Sequence, residues 1–349
     1  MMHLGRTDRC RGVPCGRPCD TAYSTSGIRR GQPRGLPLQC VTSVSNSYGV
    51  TMMPTTAIDI APLPQATFGK TGEHVPLLGL GTAPGGFGLA DADAIPLFER
   101  AIDLGVTYID TAPGYERAQS QLTQIVPHCR GELFLVSKAH TAHYQEALDI
   151  VEKNLDALGT DHLDLMYVHS LGHLDVEQVL AKDGALAGLR EAQRRGWTRY
   201  IGITAHHAPW KSAKVLREVE IDACMFALSF ADCHIYNFEE KVLPLARAQN
   251  AAIAAMKVYG GAVNMEYETP RPSELTNSGF GDHERALRYA LGLPGVSLAV
   301  VGVYNEEELV QNIEWVRRYT PLDAGEQQAL LAQGREIARQ WGPHYGSVE

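Results

Sequence analysis

YIDTAPGY at 108–115, LFLVSKAH at 133–140 and LDLMYVHS at 163–170 decide the fold of this chain. Each is a short apolar run that ends in polar residues: Asp110 and Tyr115 in the first, Lys138 in the second, His169 in the third. In a parallel barrel the carboxyl ends of all strands share one face, so residues about 25 to 35 apart in sequence can meet in one pocket. A phenol, an ammonium, an imidazole and a carboxylate then converge. That set can move a proton onto a carbonyl oxygen while hydride arrives at its carbon. A phenol has an ordinary pKa near ~10, and a neighbouring ammonium lowers it, so Lys138 is expected to acidify Tyr115 while Asp110 holds the lysine. His169 supplies a second donor. Singly, each residue has a plainer reading, the Asp as a turn residue and the Lys as a solvated rim charge. Together, in this order and at strand ends, they read as a site.

Outward from these runs, short apolar segments alternate with amphipathic ones from Phe68 to Trp341. This pattern predicts a (β/α)8 TIM-type barrel, with an N-terminal hairpin closing the bottom and a C-terminal outer helix. The hairpin falls around FGKTGEHVP (68–76) and the first strand in VPLLGLG (75–81). Helices are expected over 92–104, 120–126, 144–158, 176–195, 210–219, 239–249, 284–291 and 306–318, with an outer helix over 324–341. The intervening strands read VTYID, LFLVSKA, HLDLMYVH, RYIGITA, ACMFALS, AAIAAMK and SLAVVGV. A doubly wound fold would normally offer G-x-G-x-x-G between a strand and a helix. The nearest stretch, GLGTAPGGFG, runs G-x-G-x-x-x-G-G instead. Gly79 and Gly81 read as allowing close backbone approach at a barrel mouth.

With GLGTAPGG at 79–86 before them, IDTAPGY, VSKA and YVH in ascending order resemble the aldo-keto reductase superfamily, from about Phe68 to about Trp341. The resemblance implies Tyr115 as general acid for carbonyl reduction, Lys138 and Asp110 tuning it, and His169 orienting the substrate. It also implies a nicotinamide cofactor, NADPH or NADH, held by Gly81, Thr82, Thr204, Met256, Lys257, Gly302, Glu308 and Asn312. The chain departs from the usual pattern there. GITAHH and ACMFALS put Ala205 and Met225 where amides commonly hold the nicotinamide, and Met256 stands where a stacking aromatic is often found. VVGVYNEEELVQN places Glu306, Glu307 and Glu308 where relatives that prefer the 2′-phosphate carry basic residues. Carboxylates suit ribose hydroxyls. They also suit the positive end of a helix, an equally good reading of these three.

Composition agrees with a single-barrel enzyme: 349 residues, 44% hydrophobic, 20% charged. No apolar run approaches the ~18 residues of a membrane span. A net charge of −9 argues against nucleic acid as the main partner, and the small carbonyl compound expected instead is what the resemblance implies. Residues 1–52 stand apart, with seven arginines against two aspartates. That balance of +5 leaves −14 for the rest. Rich in Gly, Pro, Ser and Thr and without apolar periodicity, this stretch is expected to be a disordered basic extension before a single domain at 53–349. An organelle transit peptide is an alternative, twin-arginine export at Arg29-Arg30 is set aside because no apolar stretch follows the pair, and a start at Met52 or Met53 is the favoured reading. Cys10, Cys15, Cys19 and Cys40 fall in it, the first three as C-x4-C-x3-C, but without the folded context that a structural zinc site needs, and no metal is expected. Cys129, Cys224 and Cys233 are scattered, consistent with a reducing, cytoplasmic setting.

The sequence thus reads as an oxidoreductase moving hydride between a nicotinamide and a small aldehyde, ketone or sugar-like carbonyl. The alternatives are a catalytically weak nucleotide-binding or regulatory barrel subunit and non-redox carbonyl chemistry. Substrate choice belongs to loops, chiefly 259–282, with His206, His207, Trp210 and Phe230 as candidate lining.

Overall fold

Strict alternation along eight short strands builds the wall of the molecule. The computed structural model describes residues 62–349, so the expectations for residues 1–52 and their four cysteines lie outside the described residues. β1 (Gln65–Thr67) and β2 (His74–Pro76) form an antiparallel hairpin. β3 (Leu78–Gly81), β4 (Tyr108–Asp110), β5 (Phe134–Ala139), β6 (Leu163–Val168), β7 (Thr198–Ala205), β8 (Ala223–Ala227), β9 (Ala252–Met256) and β10 (Val296–Val301) close into a barrel in which β10 pairs with β3. Every barrel pairing is parallel, as a (β/α)8 fold requires.

Around the wall run α1 (Ala83–Gly88), α2 (Asp91–Asp103), α3 (Ala118–Leu122), α4 (Val126–Cys129), α5 (Tyr144–Leu158), α6 (Val176–Leu180) and α7 (Ala185–Arg194). They are followed by α8 (Pro209–Glu218), α9 (Phe238–Lys241), α10 (Leu243–Ala248), α11 (Glu274–Asn277), α12 (His283–Gly292), α13 (Glu306–Arg317) and α14 (Ala324–Trp341). Several expectations need correction. The first barrel strand starts at Leu78, because Val75 and Pro76 belong to the hairpin and Leu77 turns back to bond the Pro64 carbonyl at 2.9 Å. The helix read over 120–126 becomes α3 and α4, and that over 239–249 becomes α9 and α10. In each case a proline, Pro127 or Pro244, falls in the first turn of the new helix, where its missing N–H leaves no bond unmade. The long helix over 176–195 breaks into α6 and α7, with Gly184 bridging to His143 between them.

Two apolar layers result. Inside the barrel lie Tyr108, Phe134, Val136, Leu165, Tyr167, Met225, Ala254, Met256, Leu298 and Val300, every second residue of their strands. The wider layer between strands and helices holds most of the remaining apolar side chains, Cys224 among them. The hairpin plugs the bottom: Phe68 sets its edge against Tyr108 and Phe134, with ring centroids 5.8 and 5.4 Å away. Gly79 serves this interior rather than the mouth, because a Cβ there would stand 2.8 Å from the Tyr108 ring.

Charge locks the bottom. Asp164, near the start of β6 and buried, takes Arg130 at 2.9 Å, Arg199 at 2.8 Å and the Leu135 N–H at 2.8 Å, and Arg199 also reaches Glu73 of the hairpin. Removing the carboxylate takes an acceptor from Arg130, from Arg199 and from the Leu135 N–H, leaving Arg130 with the His162 and Leu133 carbonyls and Arg199 with Glu73. Asp164→Ala is therefore expected to lower unfolding free energy by about 3 kcal/mol, measured by denaturant titration, whereas loss of only a few tenths would show that the network adds nothing.

Candidate active site

The period of two that fills the barrel also builds its mouth. Inward positions run 108 and 110 on β4, 134, 136 and 138 on β5, and 165 and 167 on β6, with 169 just beyond. Asp110, Lys138 and His169 are thus the next inward step above Tyr108, Val136 and Tyr167. The Lys138 ammonium donates to Asp110 Oδ2 at 2.6 Å and to the Thr111 carbonyl at 2.9 Å, and the lysine is almost fully buried. Among the described residues Asp110 Oδ1 has no hydrogen-bond partner. Tyr115 arrives from the loop after β4. A side chain on Gly86 would collide with the Tyr115 carbonyl, so that glycine lets the loop seat. Lys138 Nζ lies 4.7 Å from the Tyr115 ring centroid, and the His169 ring stands edge-on at 6.1 Å. All four residues meet.

Their electrostatics differ in one respect from expectation. Burial raises the Tyr115 phenol above its ordinary value, and this outweighs the opposing pull of Lys138. Tyr115 is therefore a protonated donor in the free protein. Burial works against the Lys138 ammonium, but Asp110 and Tyr115 together outweigh it and hold the lysine charged. Burial, and after it the charge of Lys138, holds the His169 imidazole well below its usual range. His206, on the inward phase of β7, is held down in the same way, first by burial and then by Lys257.

Two clefts open at this centre. One, of about 460 Å³, runs from Asp110 and Tyr115 to Asn312 and Trp315. Gly81, Met256, Lys257, Gly302, Glu308 and Asn312 line it. Thr82 and Thr204 do not. Both are fully buried, with the Thr82 hydroxyl on the Asp110 carbonyl at 3.0 Å and Thr204 Oγ1 taking the Ser170 N–H at 2.8 Å. Glu308 borders the cleft and also accepts the Tyr304 N–H at 2.8 Å at the start of α13, so it stands on the cleft wall and serves the helix start at once. Glu306 instead pairs with Arg100 at 2.7 Å. Segment 259–282 forms one side of this cleft through Tyr259, Tyr267 and Arg271 among others.

The second cleft, about 370 Å³, holds Phe87, Tyr115, His169, His173, His206 and Tyr267, closed by His344 and Tyr345. Of the suggested lining residues, only His206 is there. His207, on the outward phase, packs with its Nε2 3.4 Å from that of His173; Phe230 is buried against Phe280, and Trp210 is exposed. The C-terminal residues were not anticipated. His344 reaches the buried Asp232 at 2.8 Å and the Tyr345 N–H donates to the Tyr236 hydroxyl at 2.8 Å, folding the tail back over the mouth. Gly342 ending α14 before an aromatic pair is the one local signal for this. Among the described residues no helix is long and apolar enough to cross a membrane, and no group of three or more potential ligands is poised for a metal.

A closed parallel barrel with a lysine, a carboxylate, a phenol and an imidazole at the carboxyl mouth beside a long cleft defines the class: a barrel oxidoreductase. The sequence model of the Aldo/keto reductase family matches residues 77–281, and the chain belongs to that family. Membership brings nicotinamide-dependent oxidoreductase activity on small carbonyl and alcohol compounds. The chain is similar to a pyridoxal 4-dehydrogenase of Microbacterium luteolum, 25% identical over 321 residues, covering 72% of this chain and 93% of that protein. It is also similar to an uncharacterised oxidoreductase of Bacillus subtilis, 24% identical, covering 63% and 81% of the two chains. Among solved structures, the holo form of a Bacillus halodurans aldo-keto reductase shares the fold with a TM-score of 0.63 at 20% identity, covering 78% of this chain and 96% of that one. A Klebsiella pneumoniae aldo/keto reductase in complex with NADP and acetate does so with a TM-score of 0.60 at 20% identity, covering 78% and 96%.

The lowered pKa of His169 gives a test. Since its neutral form persists below the usual range, its ring resonances in ¹⁵N-labelled protein, assigned by loss in His169→Gln, should not titrate between about pH 8 and 6. Half-protonation near about pH 6.5 would show that the imidazole is solvated and outside the site described.

Proposed function

We propose that this protein interconverts a small aldehyde or ketone and its alcohol, with Tyr115 as the proton donor in the reducing direction. The observation that carries the reading is the Lys138–Asp110 pair, buried at 2.6 Å directly beside the Tyr115 ring. A bound reduced nicotinamide supplies the hydride. The chain supplies the proton: the Tyr115 O–H donates to the carbonyl oxygen as negative charge develops there, and the Lys138 ammonium stabilises the phenolate left behind. Asp110 keeps that ammonium charged and aimed. His169, neutral, offers a ring N–H to the same oxygen without bringing another positive charge. The aromatic walls of the smaller cleft suit a flat ring, in keeping with a relative named for pyridoxal oxidation. Either direction of the reaction uses the same residues.

The larger cleft fits a dinucleotide. It is long, has backbone at Gly81, Gly261 and Gly302 along it, and ends at the Trp315 and Asn312 side chains. Solved relatives hold NADP or NADPH. In this chain the carboxylate of Glu308 stands on the cleft wall, and the guanidinium of Arg271 is already paired with Glu266 at 2.8 Å. A 2′-phosphate there meets like charge, which favours NADH.

Two outcomes follow for measurement. Tyr115→Phe keeps the ring and loses the proton; turnover should fall by ~10² to 10⁴ with nucleotide affinity little changed, and a variant retaining half of wild-type turnover with chemistry rate-limiting removes Tyr115 from the reaction. NADH should bind at least as tightly as NADPH by fluorescence titration, and Glu308→Arg should move the ratio of Kd values toward NADPH by about tenfold. Wild type binding NADPH about tenfold tighter, a gap of ~1.4 kcal/mol, would mean that the carboxylate serves only the helix.

A further inference from the structure

Lys257 has no ion-pair partner among the described residues, although its charge reaches the Asp110 carboxylate at the same mouth. The other lysine of the site, Lys138, has Asp110; among the described residues no carboxylate lies within salt-bridge distance of the Lys257 ammonium, whose one hydrogen bond is to the Tyr267 hydroxyl. That ammonium sits 4.7 Å from the Tyr267 ring centroid. The arrangement is built rather than incidental. Lys257 holds a left-handed backbone conformation at φ 57°, a strained state for a non-glycine residue that survives only where its surroundings enforce it. Gly261, at φ 76°, makes room for it: a Cβ there would stand 3.2 Å from Lys257 Cδ and 3.5 Å from the Tyr267 hydroxyl.

Placement says what the pair faces. Lys257 and Tyr267 line both clefts, at the seam shared with Tyr115 and His206. The Phe87 ring stands beside both tyrosines, with centroids 6.4 Å from Tyr115 and 6.1 Å from Tyr267. Among the described residues the smaller cleft has histidine, tyrosine, serine and lysine side chains on its walls and no carboxylate. Arg271 lines only the larger cleft and is paired with Glu266, so Lys257 is the one lysine or arginine among the described residues on the walls of the smaller cleft. An ammonium with no ion-pair partner beside a phenolic donor, in a half-buried cavity without acidic groups on its described walls, is an oxyanion receptor.

We propose that Lys257 and Tyr267 bind a carboxylate of the substrate, at a point separate from the carbonyl held by Tyr115 and His169, so that the preferred substrates are small carbonyl compounds bearing an acid group. This rests on the carbonyl-reduction reading and adds a substrate class to it. The ammonium and phenol hydroxyl grip the acid; the aromatic wall spans the distance to the reacting carbon. Neutral aldehydes of the same shape enter but lack the anchor.

The test uses one ring in two charge states, 4-carboxybenzaldehyde and its methyl ester, with full-length protein and saturating nucleotide. Wild type should favour the acid in kcat/KM by at least about tenfold, mostly through KM. Lys257→Met should cut that acid-to-ester ratio by about tenfold or more, Lys257→Arg should restore much of it, and Tyr267→Phe should lower it less. The wild-type ratio depends on no variant folding. If the ester is reduced as well as the acid, the subsite is wrong and the carbonyl reading stands; if neither is reduced, both fall. A Lys257→Met variant whose acid-to-ester ratio is unchanged while its nucleotide Kd rises would overturn the proposal by assigning the ammonium to the nucleotide's phosphates.

Discussion

The contact between Lys138 and Asp110 is the constraint on which the rest of the site depends. Taking an ammonium and a carboxylate out of water costs several kcal/mol for each ion, and only close, well-satisfied geometry offsets it. Here the two meet at 2.6 Å, and the Thr111 carbonyl takes a second lysine proton. The barrel makes this possible by supplying both groups from adjacent parallel strands in register, with Asp110 paired to Val136, two residues before Lys138. Once the pair is formed, the proton economy of the mouth is set. Lys138 is charged beside Tyr115, and the imidazoles of His169 and His206 stay neutral because burial and two ammonium groups leave no room for another positive charge.

Reading the sequence recovered the barrel because hydrophobic phase is a local property. α5 and α14 fall at their expected limits, Tyr144–Leu158 and Ala324–Trp341, and Asp110, Tyr115, Lys138 and His169 converge. Phase also separates His206 from His207, though adjacency hid this: counting inward from Tyr200 by twos reaches His206 and passes over its neighbour. Boundaries failed where a single residue overrides a good helical pattern, as Pro127, Pro244 and Gly184 do. The glycines of GLGTAPGG answer to different neighbours, Gly79 to Tyr108 and Gly86 to Tyr115, which no local rule could assign.

Less legible were the walls that decide what binds. Thr82 and Thr204 look like ligand hydroxyls in sequence, but the backbone groups that take them up lie 28 and 34 residues away. Tyr267, His344 and Tyr345 come from a loop and a tail without strong periodicity, and they reach the mouth through tertiary contacts with Lys257, Asp232 and Tyr236. The same walls give this barrel its own character. Its smaller cleft is aromatic and rich in histidine, with one free cation among its lining residues, and its larger cleft carries Glu308.

All of these features serve one chemical claim, that the mouth couples arrival of hydride at a carbonyl carbon to proton delivery from Tyr115. The most direct measurement incubates the protein with an aromatic aldehyde and reduced nicotinamide dinucleotide, following the nucleotide's near-ultraviolet absorbance while the alcohol is quantified by chromatography. The account predicts equal amounts of nucleotide oxidised and alcohol formed. Aldehyde consumed without any change in nicotinamide absorbance, or no turnover of any carbonyl with either nucleotide, would contradict it.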